Sequence, residues 1–172
     1  MTGEQDTNGG RHRTLIVLRH CKAAHIPGLA DRERPLTGRG ERDAKRVGET
    51  LRALALRPDL VLCSPSVRTR RTAELALVEL APDAPVEFPR GIYEAYADEL
   101  LDLIRATDPG VRTLMLVGHN PGVHELVMGL TTRDGDPGFP PGAFAVIEAD
   151  GAWSMLDSGH ATTRWNPKTE VR

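Results

Sequence analysis

The sequence lacks the marks of several common protein classes. Its two cysteines, Cys21 and Cys63, fit neither a metal-binding nor a redox spacing, and we interpret them as reduced thiols of a cytosolic protein. No apolar run approaches the ~18 residues that are needed to cross a membrane. Residues 1–13 have no apolar core and are not a signal peptide by their pattern. We therefore expect a cytoplasmic protein that has no membrane partner.

A strong excess of charge of either sign is absent as well. The formal net charge of the 172-residue chain is -2 at pH 7, so no global basic field attracts nucleic acid. Metal motifs such as HExxH and CxxC are missing from the sequence, because His124-Glu125 is not followed by a second histidine at the required spacing. We expect no nucleic-acid partner, no metal and no cofactor.

The length of the chain and its hydrophobic content of 40% favour one domain with a real core. We predict a disordered N-terminal tail over residues 1–12, a single domain over 13–160 and a loose C-terminal tail over 161–172. Within the domain, short apolar runs alternate with amphipathic segments. This alternation predicts a three-layer α/β/α sandwich around a mainly parallel central sheet.

The predicted elements follow from hydrophobic periodicity and from helix caps. Strands are predicted over residues 14–18, 59–63, 86–88, 113–117, 143–148 and 153–156, and helices over about 37–57, 64–80, 98–106 and 121–130. The last two strands are expected to pair across the Asp150-Gly151 turn. Thr37 is predicted to cap the first helix, and Ser64-Pro65 to start the second.

Polar side chains follow three of the predicted strands. Arg19-His20 follows the first strand, Arg68 lies shortly after the second, and His119-Asn120 follows the strand that ends at residue 117. The carboxyl ends of parallel strands meet at one edge of the sheet, where open α/β folds bind their ligands. Two histidines and two arginines around one point suit a tetrahedral dianion, with one histidine as the nucleophile that attacks phosphorus.

Four segments around these strand ends resemble motifs of the histidine phosphatase superfamily, in the same order. They are LRHCKA at 18–23 (the RHG signature), RPLTGRG at 34–40 (the PLTxxG segment), CSPSVRTRRTAE at 63–74 (the second-arginine segment) and VGHNPG at 117–122 (the second-histidine segment). The order and spacing agree over about residues 14–156. The chain is most similar to the SixA-like phosphohistidine phosphatases, which implies a phosphoglycerate mutase-like fold.

The resemblance implies a role for each motif residue. His20 would be the nucleophile that becomes phosphorylated during turnover. Arg19, Arg68 and His119 would bind the phosphoryl group. Asn120 stands where a backbone N–H of the family assists in binding the same group.

Two positions are left open by the resemblance. In many members of the superfamily a glutamate after the second helix protonates the leaving group, and Glu94 falls at that place; the alternative is that Glu94 is a surface carboxylate. The glycine of the RHG signature is Cys21 here. Glycine permits close backbone approach and positive φ, whereas alanine in several SixA-like sequences indicates that a small side chain is tolerated.

Together, the motifs predict a metal-independent phosphatase that acts through a phosphohistidine intermediate. The expected substrate is phosphohistidine on a partner protein, because the connections other than 21–36 and 131–142 are too short to build a lid over a small molecule. A phosphatase for a sugar phosphate or a nucleotide is the alternative. A non-catalytic phosphate-binding module is disfavoured, since both histidines and both arginines of the site are present.

Overall fold

A six-stranded sheet forms the centre of the structure. The computed structural model describes residues 12–131, 135–157 and 162–166. The strands are β1 (His12–Arg19), β2 (Leu60–Cys63), β3 (Val86–Glu87), β4 (Thr113–Gly118), β5 (Phe144–Asp150) and β6 (Thr162–Asn166). Their spatial order is β3-β2-β4-β1-β5-β6. The first four strands of that order are parallel to one another, and β5 is antiparallel to both of its neighbours, β1 and β6. The predicted, mainly parallel sheet is confirmed.

Helices cover both faces of this sheet. They are α1 (Gly38–Ala53), α2 (Val67–Leu80), α3 (Ala97–Arg105) and α4 (Gly122–Leu130). Alternate side chains of β1 point to opposite faces: Leu15 and Val17 pack with residues of α3 and α4, whereas Ile16 and Leu18 pack with residues of α1 and α2. The predicted three-layer sandwich is therefore confirmed.

The centre of the sheet explains why its strands are uniformly apolar. Residues Leu15 to Leu18 of β1 are at most 1% exposed, and residues Leu114 to Val117 of β4 are 0% exposed. A parallel sheet with helices on both faces buries every side chain of its inner strands, so these strands show no alternation of polar and apolar residues. None of the described helices is long and apolar enough to span a membrane.

The register of the parallel strands brings three chain segments to the same edge. Arg19 of β1 lies opposite Gly118 of β4, and Cys63 of β2 lies opposite Val117 of β4. The residues that follow each strand therefore leave the sheet side by side. This edge is the one at which the polar side chains were expected to converge.

Helix α2 begins later than predicted. Its N-cap is Ser66, whose side chain accepts a hydrogen bond from the Thr69 N–H at 3.3 Å, so the predicted start at Ser64-Pro65 is wrong. The Ser64 N–H is bound to Val117 O at 3.0 Å, which keeps residue 64 with the sheet. The predicted cap of α1 is confirmed, because the Thr37 hydroxyl accepts from the Gly40 N–H at 3.0 Å.

The C-terminal region differs from the prediction in two ways. Residues Trp153–Met155 form a 3-10 helix rather than a strand, since the Trp153 ring is buried and its Nε1–H donates to Val111 O at 2.7 Å. Instead of the predicted hairpin partner, β5 has β1 on one side and β6 on the other, and β6 lies within residues 161–172, the predicted C-terminal tail. The predicted disordered tail at 1–12 lies outside the described residues except for His12, which begins β1.

Candidate active site

The ends of β1, β2 and β4 meet at one cavity of about 650 Å³. Five of the residues predicted for the site line it, namely Arg19, His20, Arg68, His119 and Asn120. The sequence separates these residues by as many as 101 positions, from Arg19 to Asn120. The parallel sheet brings them together because each follows the carboxyl end of a neighbouring strand.

His20 is oriented by the backbone of the residue that follows it. Its Nδ1 lies 2.8 Å from Cys21 O. A carbonyl oxygen only accepts hydrogen bonds, so Nδ1 must carry the proton and donate it. The lone pair of the neutral ring is then on Nε2, the nitrogen that remains available to attack an electrophile.

The surroundings of His20 keep its ring uncharged. Burial is the largest cause of a pKa lowered to about 4, and the positive charges of Arg68 and Arg19 lower this pKa further. The hydrogen bond to Cys21 acts in the opposite direction. At neutral pH the imidazole is therefore unprotonated, which is the form that a nucleophile requires.

His119 faces His20 across the cavity, with the two ring centroids 5.3 Å apart. Its Nδ1 lies 3.3 Å from Nη2 of Arg68, and its Nε2 lies 2.7 Å from the Ser64 hydroxyl. Since a guanidinium only donates, Nδ1 accepts and Nε2–H donates to Ser64. Burial, followed by the charges of His20 and Arg68, lowers the pKa of His119 to about 3.

Arg68 is buried and is held by the loop between β1 and α1. Its Nη1 donates to Asp31 O at 2.7 Å, and its Nη2 donates to the Asp31 carboxylate at 3.0 Å. These contacts fix the plane of the guanidinium beside His119. The long connection at residues 21–36 is thus part of the site and not only its rim.

Asp31 is held in its ionised form. The Tyr93 hydroxyl donates to its carboxylate, and Arg34 Nη1 donates at 3.1 Å. The hydrogen bond from Tyr93 is the largest cause that holds the pKa of Asp31 well below its usual range, and Arg34 and Arg68 act in the same direction. The carboxylate is therefore an acceptor and a negative charge, and it has no proton to give at neutral pH.

One carbonyl oxygen joins the ends of β1 and β4. Phe139 O accepts from Arg19 Nη1 at 3.0 Å and from Asn120 Nδ2 at 2.8 Å. The Gly142 N–H donates to the carbonyl oxygens of Arg19 and His20 at 3.2 and 3.0 Å. The segment before β5 therefore closes over the two strand ends and fixes the direction of both side chains.

Two donors of the site have no acceptor within the described part of the chain. The Nε atoms of Arg19 and Arg68 are buried and make no hydrogen bond there. Burying a donor without a partner costs about 1–3 kcal/mol. Both arginines also line the cavity, where a guanidinium binds oxyanions well, so the arrangement fits an anionic ligand with several oxygen atoms.

The cysteine in place of the motif glycine is accommodated without strain. Cys21 is absent from the non-glycine residues with positive φ, and its thiol is fully buried against Leu36, Ala44 and Leu75. Its N–H donates to the Thr72 hydroxyl at 3.1 Å. This position contributes its backbone to the site, so it does not require the conformational freedom of glycine.

Glu94 is not brought to the cavity. Its side chain is exposed, it does not line the cavity, and its φ of 60° turns the chain at this point. The preceding residue, Tyr93, packs instead against the site, with its ring 5.4 Å from that of His119. A left-handed residue in an irregular segment cannot be recognised from hydrophobic periodicity, which is why sequence alone left Glu94 open.

Four contributors to the site carry no sequence signal of their own role. The sequence pattern around Ser64 predicts a helix cap, and Asp31 is simply one residue of the long connection at 21–36. Tyr93 and the carbonyl of Phe139 were not proposed at all. For Asp31 and Phe139 the indication was the length of the connections at 21–36 and 131–142, because long loops in compact domains are often functional. Ser64 and Tyr93 lie outside these connections.

Comparison with known families agrees with this geometry. The model of the histidine phosphatase superfamily (branch 1) matches residues 15–119. This range includes both arginines and both histidines of the cavity. The chain belongs to the histidine phosphatase superfamily, and its fold is the phosphoglycerate mutase-like fold.

Individual relatives extend the similarity to most of the chain. An uncharacterised protein of Mycobacterium tuberculosis is 33% identical over 153 residues, which are 84% of this chain and 94% of that protein. Phosphohistidine phosphatase SixA of Escherichia coli is 28% identical over 163 residues, 88% and 91% of the two chains. The structure of a protein provisionally assigned as phosphohistidine phosphatase SixA, from Nakamurella multipartitia, has a TM-score of 0.78 at 30% identity and covers 89% of this chain and 94% of that one.

Proposed function

We propose that this protein is a metal-independent phosphatase that removes the phosphoryl group from phosphohistidine on a partner protein. The reaction would run through a phosphohistidine formed on His20. The members of the superfamily that support this substrate are those named SixA, described above. Three features of the site support the proposal: the neutral ring of His20, the positive charges of Arg19 and Arg68, and the lack of a carboxylate placed to act as a general acid among the residues that the structure describes.

The first step is attack of His20 on phosphorus. Nε2 has a free lone pair because Nδ1–H donates to Cys21 O. Arg19 and Arg68 neutralise the two charges of the phosphoryl group, and their guanidinium groups, which line the cavity, supply donors for its oxygens. A dianion in the cavity would also favour the protonated form of His119, whose Nδ1–H would then donate to a third oxygen.

The observation that carries the choice of substrate is the ionised state of Asp31. This carboxylate is bound to Arg68, and hydrogen bonds from Tyr93, Arg34 and Arg68 lower its pKa, so it carries no proton at neutral pH. Glu94 is exposed outside the cavity. Neither carboxylate is therefore suited to protonate an alkoxide, whose departure from phosphorus depends strongly on a general acid.

Phosphohistidine does not need such an acid. A phosphorylated imidazole that carries a proton on its other ring nitrogen loses the phosphoryl group as the P–N bond breaks, and the bonding pair stays on the ring nitrogen. The leaving group is then a neutral histidine. The same holds for the second step, in which water attacks phospho-His20 and the ring departs with the Nδ1 proton that Cys21 O already holds.

The test is to compare kcat/KM for a phosphohistidine protein with kcat/KM for sugar phosphates and nucleotides, for the wild type and for Glu94→Gln. We expect the phosphohistidine protein to be preferred, and Glu94→Gln to change its hydrolysis by less than about threefold. General-acid catalysis contributes roughly 10²–10⁴-fold. Higher efficiency on a small ester, with a loss of that size in Glu94→Gln, would favour the small-molecule alternative.

A further inference from the structure

The cavity carries more positive charge than a phosphoryl group requires. Among the lining residues that the structure describes, none is a carboxylate and five are cationic: Arg19, Lys22, Arg34, Arg39 and Arg68. Asp31, which pairs with both Arg34 and Arg68, offsets one of these five positive charges, so four remain against the two negative charges of a phosphoryl dianion. The chain as a whole has a net charge of -2, so this local concentration does not reflect its overall composition.

Lys22 and Arg39 are held on the same wall of the cavity by the main chain. The Thr37 N–H donates to Lys22 O at 2.9 Å. A Cβ on Gly40 would lie 2.2 Å from the same oxygen, so only glycine allows the start of α1 to approach so closely. The PLTxxG segment therefore packs directly on the backbone two residues after His20.

The positive charges of Lys22 and Arg39 are not neutralised by close ion pairs within the described part of the chain. The Lys22 ammonium has no hydrogen bond or ion pair with residues 12–131, 135–157 or 162–166. Arg39 reaches Asp43 only at 3.9 Å, and its side chain is 54% exposed. Arg39 also lies in the first turn of α1, where the helix dipole disfavours a cation. Arg34, in contrast, is occupied by Ala24 O and Asp31.

We propose that Lys22 and Arg39 form a second anion subsite, which binds the carboxylate of an acidic residue next to the phosphorylated histidine of the partner protein. This inference rests on the function proposed above. Lys22 is two residues from His20, so their Cα atoms are at most ~7 Å apart. On an extended partner segment, a residue one or two positions from the phosphorylated histidine lies at a similar distance from it, so its side chain could meet Lys22. Both side chains are exposed, which suits a flank that lies across the mouth of the cavity.

The experiment uses four short phosphopeptides and three forms of the enzyme. The peptides carry phosphohistidine or phosphotyrosine, each flanked on both sides by either Asp or Asn. The enzymes are the wild type, the double variant Lys22→Gln/Arg39→Gln and the control Lys45→Gln/Arg46→Gln. Lys45 and Arg46 are exposed on the same helix and do not line the cavity, so the control removes the same charge elsewhere.

We expect the wild type to prefer Asp flanks over Asn flanks by about three- to tenfold in kcat/KM, mostly through KM, as two exposed charge pairs would give. The cavity double variant should lose this preference, and the control should keep it. At ~1 M salt, where the Debye length is about 3 Å, the preference of the wild type should shrink toward unity. Melting temperatures of the three forms report whether each variant is folded.

Three results would overturn the subsite. They are equal kcat/KM for both flanks in the wild type, a preference that persists in the cavity double variant, and an equal loss in the control. Inhibition by pyrophosphate that depends on Lys22 and Arg39, without any effect of the peptide flank, would likewise reject a carboxylate as the occupant. The choice of phosphorylated residue is tested separately, by comparing phosphohistidine with phosphotyrosine peptides. If only the phosphotyrosine peptides were hydrolysed, the proposed function would be rejected, and the effect of Asp against Asn flanks could still be measured on them.

Discussion

His20 and His119 occupy similar places and are held in different ways. Both follow neighbouring parallel strands, both line one cavity, and burial lowers the pKa of both. His20 Nδ1 is bound to a main-chain oxygen, which a ligand cannot displace. His119 is bound to the side chains of Ser64 and Arg68, which can exchange partners when an anion enters. The fixed ring suits a nucleophile, and the exchangeable ring suits a group that binds the phosphoryl oxygens.

The largest expected effect separates the two histidines directly. His20→Ala should lose at least roughly 10⁴-fold in kcat and form no phosphoenzyme, because the attacking nitrogen is gone. His119→Ala should lose roughly 10²–10³-fold, as expected for one lost donor to the transferred group, and should still become phosphorylated. Acid-quench mass spectrometry of both variants measures the acid-labile phosphate. Unchanged activity in His20→Ala, or phosphate on His119, would reverse the assignment.

The next effect tests the arginine that holds His119. Arg68→Ala should reduce kcat/KM about a hundredfold, because in the proposed reaction this buried guanidinium binds the phosphoryl group. Arg70 and Arg71 are matched controls on the same helix: Arg70 binds Pro65 O and stacks over Phe88, and Arg71 pairs with glutamates. Their alanine variants should stay within about threefold of the wild type. An equal loss in all three variants would exclude a special role for Arg68.

A smaller effect is expected at Ser64. Ser64→Ala removes the acceptor for His119 Nε2–H and frees the ring to rotate, so kcat/KM should fall about tenfold while phosphoenzyme still forms on His20. Ser66→Ala is the control, because it removes the cap of α2 and should lower stability by ~1 kcal/mol with little effect on the reaction. Steady-state kinetics and denaturant unfolding of both variants distinguish the two serines. If Ser66→Ala also lost tenfold in kcat/KM, the loss in Ser64→Ala could not be attributed to its hydrogen bond with His119.

The two histidines should also appear in the pH dependence of stability. Their folded pKa values, about 4 for His20 and about 3 for His119, are below the ~6.5 of an unfolded histidine. The unfolded chain then binds more protons between these values, so the free energy of unfolding should fall as the pH drops from about 6.5 to about 4. His20→Gln should remove part of this decline. Parallel curves for wild type and variant, from urea unfolding at pH 7 and pH 4.5, would contradict the low pKa.

The smallest expected effect is that of metal removal. In the proposed mechanism, Arg19 and Arg68 supply the positive charge that a metal ion would bring to a phosphoryl group. Exhaustive chelation should therefore leave kcat/KM within experimental error of the untreated enzyme. Activity that disappears on chelation and returns with one divalent ion would overturn the mechanism for both histidines.

The strand ends were the part of the site that sequence could predict. Buried parallel strands are uniformly apolar, so a polar or charged side chain within the one or two residues after such a run marks the edge of the sheet. That rule places Arg19, His20 and His119 without any knowledge of their contacts. It also predicts the layers of the fold, since amphipathic helices must cover both faces of such a sheet.

The remaining contributors depend on contacts between distant parts of the chain. Asp31 becomes part of the site only because α2 and its Arg68 pack beside the loop that carries it. Ser64 and Ser66 both have the local pattern of a helix cap, and the hydrogen bond of Ser64 N–H to β4 decides between them. The pairing of β6 with β5 was missed because the segment TTRWN at 162–166 has little of the apolar pattern that predicts a strand.

The shared carbonyl of Phe139 has a consequence for how such sites vary between sequences. Every residue has a main-chain oxygen, so no substitution at position 139 can delete the acceptor that joins Arg19 to Asn120. The contact is inherited with the path of the chain and not with the identity of a side chain. Amino-acid substitutions in this loop can therefore accumulate while the two hydrogen bonds to the carbonyl oxygen of residue 139 are kept. Only a change in the length or the path of the loop would remove them.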